Sequence, residues 1–440
     1  MTAPVRRASV FAALCTLSLA VPLVDPWMAA AVAGVVLLGA YVITDGPLFD
    51  LLAYPGDYED SRLYGLITFV LAAVALGLMA TAASMPVAVF VGTILLVGYG
   101  NFGAQLVRLR TDTDVVRVGS FCLAALAAAV AGQALAHSLS GDAVASALPL
   151  VVFLAASGAF LAALLRDVLL PSDDPIIVLS VGLLLWLLAE LEPAIGTVEI
   201  VIALAVTVGF GYVSYALETA SIAGMLTGIL LGLLTIVLGG YGWFTVLISF
   251  FAIGGLSTKF RYERKTELGV AEDNNGARGS GNVLGNAAVA LVAVLGYAAS
   301  DAGFLPREPE LFLFAFAGSI ATAMSDTLSS EIGSVFERPR LITTLEPVDP
   351  GTDGGVTWQG ELAGVAGAAV VAAIAYGLFP DVGPVGAAII VAAGIAGMTV
   401  DSLLGATLEG SILGNQGVNF LATLSGALVS ALLVLSIAVS

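Results

Sequence analysis

Long apolar runs alternate with short polar segments along the whole chain of 440 residues. Apolar runs of roughly 17–25 residues, the length that an α-helix needs to cross the hydrocarbon core of a bilayer, recur from end to end. A transmembrane barrel would instead show segments of about ten residues with alternating polarity. The pattern therefore predicts an all-α, polytopic transmembrane helical bundle of about 15 spans, at residues 9–24, 27–44, 64–81, 83–100, 115–136, 147–165, 176–190, 197–217, 219–238, 241–257, 283–300, 311–325, 361–379, 384–400 and 418–438.

Composition agrees with this interpretation and limits which residue types could carry out catalysis. Hydrophobic residues make up 59% of the chain and charged residues 11%, against about 25% charged residues in soluble domains. The net charge of −18 and the presence of only two lysines, Lys259 and Lys265, are typical of adaptation to high salt and argue against nucleic acid as a partner. With one histidine, His137, and two cysteines, Cys15 and Cys122, the chain has neither zinc spacing nor a disulfide framework. Any catalysis then rests on carboxylates, cations, hydroxyls, amides and bound metal ions.

The distribution of basic residues predicts the orientation in the cell membrane. If the N-terminus is cytoplasmic and the spans alternate, every basic residue except Arg307 falls on the cytoplasmic side, as the positive-inside rule expects. The segments 258–282, 326–360 and 401–417 then all face the cytoplasm. A site built from them would reach both cytoplasmic nucleotide and membrane lipid.

A polar segment bracketed by prolines, residues 166–175, divides the chain. We expect a six-span region at residues 1–170 and a nine-span domain at residues 176–440. The motifs described next all lie in the second region.

The first candidate segment joins cations to glycines. Residues 257–265 contain a cluster of Lys and Arg, and residues 276–286 form a glycine-rich turn that includes Arg278 and leads into a helix. Backbone N–H groups at a helix start can hold phosphate, although no Gly-Lys-Ser/Thr of a Walker A loop is present. The alternative is a solvated loop whose cations set the topology.

The second candidate segment is acidic and runs from Asp326 to Glu331. If the helix continues, Asp326 and Ser330 share one face at positions i and i+4, while Glu331 points elsewhere. Hard oxygen ligands of this kind suit Mg²⁺, which takes one or two carboxylates and completes its shell with water and phosphate. The alternative is a helix end capped by polar residues at the water boundary.

Two further segments can supply oxygen ligands. Asp353 lies in a glycine-rich turn that could close over a ligand, or could be a plain turn. Asp401 is followed one helical turn later by Gly405, so that a small residue leaves space beside the carboxylate. Asn415 and Asn419 offer neutral oxygens and amide donors.

Several short motifs occur together and in order in the second half of the chain: Leu256-Ser-Thr-Lys259, Gly276-Ala-Arg278, Ser325-Asp-Thr-Leu-Ser-Ser-Glu331-Ile-Gly333, Pro339-Arg-Leu-Ile-Thr-Thr344, Gly351-Thr-Asp-Gly-Gly-Val-Thr357, Val400-Asp-Ser-Leu-Leu-Gly-Ala406 and Val418-Asn-Phe420. Over about residues 216–438 they resemble an integral membrane family of unknown function, of the DUF92 type. Its members include the chloroplast phytyl-phosphate kinase and an animal transmembrane protein without an agreed activity. The family usually has glutamine where Asn282 stands.

The resemblance implies a membrane isoprenoid-phosphate kinase that converts phytyl or geranylgeranyl phosphate to the diphosphate. Its co-substrate would be a nucleoside triphosphate, CTP or ATP, with Mg²⁺ at the cytoplasmic face. Phosphoryl transfer suits this chain because positioning and charge neutralisation carry most of the catalysis. The implied roles are Mg²⁺ ligation by Asp326, Glu331 and Asp401, closure or acceptor orientation by Asp353, and substrate or phosphate binding by Lys259, Arg278, Ser330, Ser402, Asn282, Asn415 and Asn419.

Three alternatives stay open. A CTP-dependent lipid nucleotidyltransferase would use the same metal and triphosphate. An ion-coupled transporter would place its acids near mid-membrane, and a non-catalytic membrane protein would need neither. Residues 1–170 weakly resemble polyprenol kinases and lipid cytidylyltransferases around Tyr64 and residues 98–105, although those proteins carry aspartate where Asn101 stands. The hypothesis requires Asp326 and Asp401 to lie within roughly 15 Å of each other, close enough for one metal–phosphate group to span them.

Overall fold

The computed structural model describes residues 3–169, 174–271, 277–306 and 308–438. Arg307 and part of the predicted 166–175 linker lie outside the described residues. The helices up to residue 216 are α1 Ala3–Cys15, the 3₁₀ helix Thr16–Leu23, α2 Pro26–Val42, α3 Gly46–Leu52, α4 Asp57–Asp60, α5 Tyr64–Ala82, α6 Val87–Val107, α7 Asp114–Ser140, α8 Val144–Val168, α9 Asp174–Glu190 and α10 Thr197–Ala216. The later elements are α11 Ile222–Gly239, α12 Tyr241–Ser257, α13 Tyr262–Leu268, α14 Ser280–Asp301, α15 Pro309–Gly333, β1 Arg340–Leu341, β2 Gly355–Val356, α16 Trp358–Leu378, α17 Pro384–Leu408 and α18 Asn415–Ala438.

Each of the predicted spans corresponds to a helix. Within the described residues, 12 helices are long and apolar enough to cross a membrane, and the bent pairs α2–α3 and α12–α13 raise the number to 14. The remaining predicted span corresponds to α9, whose 17 residues are close to the minimum for a crossing. The prediction of an all-α, multi-pass membrane protein is confirmed.

The chain forms two compact units, Met1–Ile202 and Ala203–Ser440. The division falls later than the polar segment that the sequence analysis used as a boundary. The reason is α9, which packs against α5, α6 and α8 of the first unit. A polar segment marks a turn between helices, but only packing decides to which unit the next helix belongs.

The first unit is centred on α6, which packs against α1, α7, α8 and α9. Glycines allow the close approach of α6 and α7. A Cβ added at Gly92 would lie 2.7 Å from Gln133 Cγ, and one at Gly100 would lie 2.8 Å from the ring of Phe121. Small residues at helix contacts are common in membrane bundles because apolar lipid leaves close packing as a main driving force.

The second unit is built around α15, which contacts α12, α14, α16, α17 and α18. Thr322 lies at the centre of this packing and is completely buried. A Cβ added at Gly397 of α17 or at Gly426 of α18 would overlap the Thr322 side chain. This glycine-mediated contact holds the three helices close together at the level just before Asp326.

Between α15 and α16 the chain forms a short antiparallel pair in which Arg340 faces Val356. Thr357 then caps α16, since its side chain accepts a hydrogen bond from Gly360 N at 3.1 Å. The pair holds the glycine-rich turn 350–354 against α17, as described below.

Candidate functional site

A polar cavity of about 260 Å³ lies inside the second unit. Five pieces of chain line it: the start of α14, the last turns of α15, the turn before β2, the last turns of α17 and the start of α18. Ten of the eleven predicted site residues line it: Arg278, Asn282, Asp326, Ser330, Glu331, Asp353, Asp401, Ser402, Asn415 and Asn419. Segments more than 100 residues apart in the sequence therefore meet at one place, although the roles assigned to these residues stay predictions.

Asp326 and Asp401 form an acidic pair in this lining. Their carboxyl groups lie within hydrogen-bonding reach of each other, one from α15 and one from α17. The expectation that they lie within roughly 15 Å of one another is met. Two ionised carboxylates at such separation repel each other, and one shared proton or one bound cation removes the repulsion.

The sequence analysis ended the two predicted spans at residues 325 and 400, just before these acids. The helices themselves continue further, α15 to Gly333 and α17 to Leu408. Both acids thus lie about two turns, or about 11 Å, before the end of their helix. The polar residues after Asp326 do not end α15, and the Ser330 hydroxyl donates to Thr327 O of the preceding turn at 3.1 Å.

Two oxygens in the cavity lack hydrogen-bond partners among the described residues. They are Oδ2 of Asp401 and Oδ1 of Asn282, and both atoms are buried. A buried oxygen that accepts no hydrogen bond costs folding free energy. These two oxygens are therefore suited to a ligand that carries a positive charge or donates a hydrogen bond. The guanidinium of Arg278 is close enough to Asp326 to interact with it electrostatically.

Arg278 is fixed in the lining by its own backbone. Its N–H donates to Thr219 O and its carbonyl accepts from Ser221 N, each at 3.0 Å. Gly224 permits this approach, since an added Cβ would overlap Arg278 O. The guanidinium lies over the ring of Phe250, 5.4 Å from its centroid. A buried arginine is thereby presented at the start of α14, as the glycine-rich segment predicted.

Glu331 lines the cavity but is engaged by a lysine. Lys265 of α13 is 2% exposed and forms an ion pair with Glu331. Its Nζ also donates to Ser257 O at 3.3 Å and Thr258 O at 3.2 Å. The described residues contain no group of three or more His, Cys, Asp or Glu side chains arranged for a metal. The structure therefore brings two of the three predicted metal ligands together and gives the third a cationic partner.

The structure does not bring Lys259 to the cavity. Its Nζ lies 3.4 Å from Glu218 O, outside the lining residues. The sequence analysis chose Lys259 from the cation cluster and missed Lys265, six residues later. Scarcity does not distinguish the two, because Lys259 and Lys265 are the only lysines in the sequence.

Asparagines complete the lining from two helix starts. Asn419 Nδ2 donates to Asn415 Oδ1 at 3.3 Å in the first turns of α18. Asn286, which sequence reasoning did not single out, is buried and donates to Asn282 O at 2.9 Å. That bond ties up the backbone of Asn282 and leaves its side chain available to the cavity.

The turn that carries Asp353 closes one side of the cavity by lying directly on α17. Gly354 has a φ of +74°, and an added Cβ would lie 2.6 Å from Ala406 N. Gly405 supplies the space on the helix side, so it accommodates this turn rather than opening room beside Asp401. Burial, and then the neighbouring Asp353 carboxylate, raise the pKa of Glu409 above its ordinary value, while a hydrogen bond with Asn415 opposes the shift.

The lining offers oxygens of the kind that magnesium binds. Asp326 and Asp401 would hold it, with Oδ1 of Asn282 as a neutral donor, and these include both unpartnered oxygens. Mg²⁺ takes one or two protein carboxylates and fills its remaining positions with water and phosphate. A third carboxylate is not required.

The fold and this cavity define a multi-pass membrane protein with a polar cavity that contains acids and an arginine. The integral membrane protein family DUF92 matches residues 205–427, about half of the chain, and the chain belongs to this family. The match covers every residue of the cavity lining described above.

Three relatives each match about half of the chain. An uncharacterised membrane protein of Methanocaldococcus jannaschii is 36% identical over 216 residues, which is 48% of this chain and 84% of that protein. The chloroplastic protein VTE6 of Arabidopsis thaliana is 33% identical over 220 residues, 48% of this chain and 65% of that protein. Protein PGR of Arabidopsis thaliana is 30% identical over 254 residues, 48% of this chain and 88% of that protein. No solved structure matches the chain.

Proposed function

We propose that the cavity transfers the γ-phosphoryl group of a nucleoside triphosphate to an isoprenoid monophosphate held in the membrane. An oxygen of the acceptor phosphate forms a bond to the γ-phosphorus, and the bond from that phosphorus to the β,γ-bridging oxygen breaks. The products are an isoprenoid diphosphate and a nucleoside diphosphate. The observation that supports this most is the meeting of Asp326, Asp401 and Arg278 in one cavity of a membrane bundle.

The residues of the chain would act mainly by positioning and charge. Arg278 is buried in the lining, where a guanidinium can hold two phosphate oxygens at once. The first N–H groups of α14 supply further donors for an anion. A magnesium ion held by Asp326 and Asp401 would neutralise charge on the triphosphate.

The isoprenoid class comes from the resemblance to the family that includes a phytyl-phosphate kinase. The structure supports a lipid acceptor in a general way, since α15 and α17 that carry the acids are themselves candidate membrane spans. An isoprenoid chain would lie in the hydrocarbon while its phosphate enters the polar cavity.

The test is an assay with purified protein in lipid nanodiscs, geranylgeranyl phosphate, Mg²⁺, and γ-labelled CTP or ATP in separate reactions. We expect label in geranylgeranyl diphosphate, and a loss of about 100-fold or more in kcat for Asp326→Asn and Asp401→Asn, as when preorganised electrostatic groups are removed from other enzymes. Asp381→Asn, an acid outside the cavity lining, is the matched control. Unchanged activity in both cavity variants would remove the pair from the reaction.

The products separate kinase from nucleotidyltransferase. Formation of a labelled diphosphate with release of nucleoside diphosphate supports phosphoryl transfer. Release of inorganic pyrophosphate, with nucleotide attached to the lipid, would show nucleotidyl transfer instead.

The depth of the acid pair favours one second candidate, ion-coupled transport. Asp326 and Asp401 lie within candidate spans, and adjacent acids can exchange a proton or sodium ion. In proteoliposomes with an imposed ion gradient, a transporter would move isoprenoid phosphate or the ion across the bilayer without a triphosphate. An enzyme would show no such dependence on the gradient.

A further inference from the structure

A second polar cavity lies in the first unit, where four helix ends meet. Its volume is about 230 Å³, and four arginines line it: Arg7 from α1, Arg108 after α6, Arg117 from α7 and Arg166 from α8. One acid, Asp167, is also in the lining. The family match begins at residue 205, so this cavity lies outside it.

The positive charge of this cavity is only partly neutralised. The whole chain has 15 basic and 33 acidic residues. Four basic residues around one cavity are therefore an unusual concentration of positive charge for this chain. Arg117 pairs with Asp114 at 2.8 Å, and Arg166 pairs with Asp174. The backbone N–H of Arg108 donates to Ala104 O at 3.2 Å, but among the described residues its guanidinium makes no ion pair or hydrogen bond.

Arg7 also lacks an acidic partner among the described residues, but it is held in place. Its NH1 donates to Ala53 O at 2.8 Å, and its guanidinium lies 4.6 Å from the ring centroid of Tyr54. These contacts orient the cation without removing its charge. Arg7 is therefore a preorganised positive group rather than half of a salt bridge.

Arg166 is held by its ion pair with Asp174 and by donating from NH1 to Asn101 Oδ1 at 3.5 Å. Its partner Asp174 is 3% exposed and also accepts a hydrogen bond from Tyr54 at 3.0 Å. Nε of Arg166 is buried and has no hydrogen-bond partner among the described residues. Asn101 and Gln105 add neutral polar groups to the same lining.

We propose that this cavity binds the phosphate group of an anionic ligand. Several arginines around one space repel one another, and a bound anion both removes that cost and satisfies the free donors. Arginine suits phosphate in particular, because its planar fork can hold two phosphate oxygens. The phosphate is carried either by a phospholipid headgroup or by a water-soluble phosphate. The ordinary reason for arginines at such helix ends, orientation in the membrane, requires neither a shared cavity nor any affinity for phosphate.

The test compares two double variants of the full-length chain that remove the same charge. Arg108→Gln/Arg117→Gln changes two arginines of the lining. Arg6→Gln/Arg110→Gln changes two that lie close in sequence but outside the lining. Arg7 and Arg166 are left intact because their contacts hold other parts of the unit. The single variant Arg108→Gln, which breaks no hydrogen bond or ion pair among the described residues, repeats the test if the first double variant does not fold.

Two probes separate the two sources of phosphate. Inorganic pyrophosphate is titrated calorimetrically into protein in phosphatidylcholine nanodiscs, with EDTA present so that the acidic cavity of the second unit holds no metal. Phosphatidic acid retained by the protein is counted by native mass spectrometry, against phosphatidylcholine as the neutral lipid. Binding of pyrophosphate alone identifies a soluble phosphate, and selective retention of phosphatidic acid identifies a headgroup.

The proposal expects at least one probe to bind the wild-type protein. The affinity should fall about tenfold or more in Arg108→Gln/Arg117→Gln, as expected when charge-assisted hydrogen bonds are lost, and change little in Arg6→Gln/Arg110→Gln. Equal losses in the two double variants would show a general charge effect and overturn the proposal. Failure of both probes to bind the wild-type protein would overturn it as well.

Discussion

A single buried lysine shows how the cavity of the second unit is held in shape. Lys265 reaches from α13 to Glu331 of α15 and also bonds two carbonyls at the end of α12. The bend of 61° between α12 and α13 is thereby fixed to the helix that carries Asp326. We infer that Glu331 acts mainly as the anchor of this lysine.

This pair leads to a double-variant prediction. Lys265→Met leaves the Glu331 carboxylate buried without its cation, which typically costs about 3–5 kcal/mol of folding free energy. Lys265→Met/Glu331→Gln removes both charges and should recover much of that loss. Denaturant unfolding in mixed micelles measures the three free energies.

The same double variant tests the metal role predicted for Glu331. If Glu331 is only an anchor, the folded double variant should bind Mg²⁺ as the wild-type protein does, as measured by calorimetry. A stable double variant that has lost Mg²⁺ binding would show that Glu331 is a metal ligand after all.

Glu409 gives the cavity a dependence on pH. Burial and Asp353 raise its pKa, so it takes up a proton at a higher pH than the ordinary glutamate value of about 4.3. A protonated carboxyl no longer attracts a cation, so Mg²⁺ affinity should decline as the pH falls through the raised pKa. Asp353→Asn removes a neighbouring negative charge, lowers the pKa of Glu409, and should move that decline to lower pH.

The control for this prediction is Asp349→Asn, which alters the same turn outside the cavity lining. Calorimetric Mg²⁺ affinities over a pH series compare the variants. Identical midpoints in Asp353→Asn and Asp349→Asn would show that Glu409 is not coupled to Asp353. Glu409→Gln should remove this part of the pH dependence altogether.

At the scale of the elements, the turn 350–354 packs against the last turns of α17 and forms one side of the cavity. Gly354→Ala would place a Cβ 2.5 Å from the Cβ of Ala406 and would also strain a backbone with φ of +74°. We expect the turn to move off α17 and the activity of the cavity to fall while the helices stay folded. The assay for phosphoryl transfer and the melting temperature measure the two effects.

Gly410→Ala is the matched control, because Gly410 has a similar φ of +72° but no atom within 4 Å of an added Cβ. It carries the backbone strain without the collision. Equal loss of activity in both variants would attribute the effect to strain alone and would contradict the role of the contact with α17.

The elements also show what sequence patterns can and cannot predict. The apolar runs predicted the membrane helices, because each segment that crosses lipid must satisfy its backbone hydrogen bonds within itself. The apolar runs stop before Asp326 and Asp401, so they did not show that α15 continues to Gly333 and α17 to Leu408. The pairing of Lys265 with Glu331, 66 residues away, likewise depends on tertiary packing that no local pattern encodes.

The convergence of Asp326 and Asp401 was predictable for a different reason. Acids placed in otherwise apolar helices are costly in a membrane, so each needs a polar environment, and one shared cavity serves both. Arg278 could be placed there from its glycine-rich segment. Asn286 was not predicted, since nothing in its local sequence distinguishes it from a helix-capping residue.

At the scale of the whole molecule, the two units separate two kinds of chemistry. The acidic cavity and all of its lining lie between residues 278 and 419, while the arginine cavity lies between residues 4 and 167. The Methanocaldococcus jannaschii relative matches only about half of this chain but most of its own length. The family match itself, residues 205–427, contains the lining of the acidic cavity and none of the lining of the arginine cavity.

A truncated chain tests whether the second unit is sufficient. A variant that begins at Pro193 keeps the whole of α10 and every element after it. We expect it to fold in nanodiscs and to retain Mg²⁺-dependent phosphoryl transfer, because the lining and the packing around α15 belong to the second unit. It should lose the metal-independent binding of pyrophosphate or phosphatidic acid, since it lacks the four arginines. Asp326→Asn in the truncated chain serves as the control that the same site is measured.

The two readouts depend on different residues. A truncated protein that folds but still binds phosphate in EDTA would refute only the proposal that the arginine cavity binds phosphate. A truncated protein that folds but has lost phosphoryl transfer would show that the activity of the acidic cavity needs the first unit.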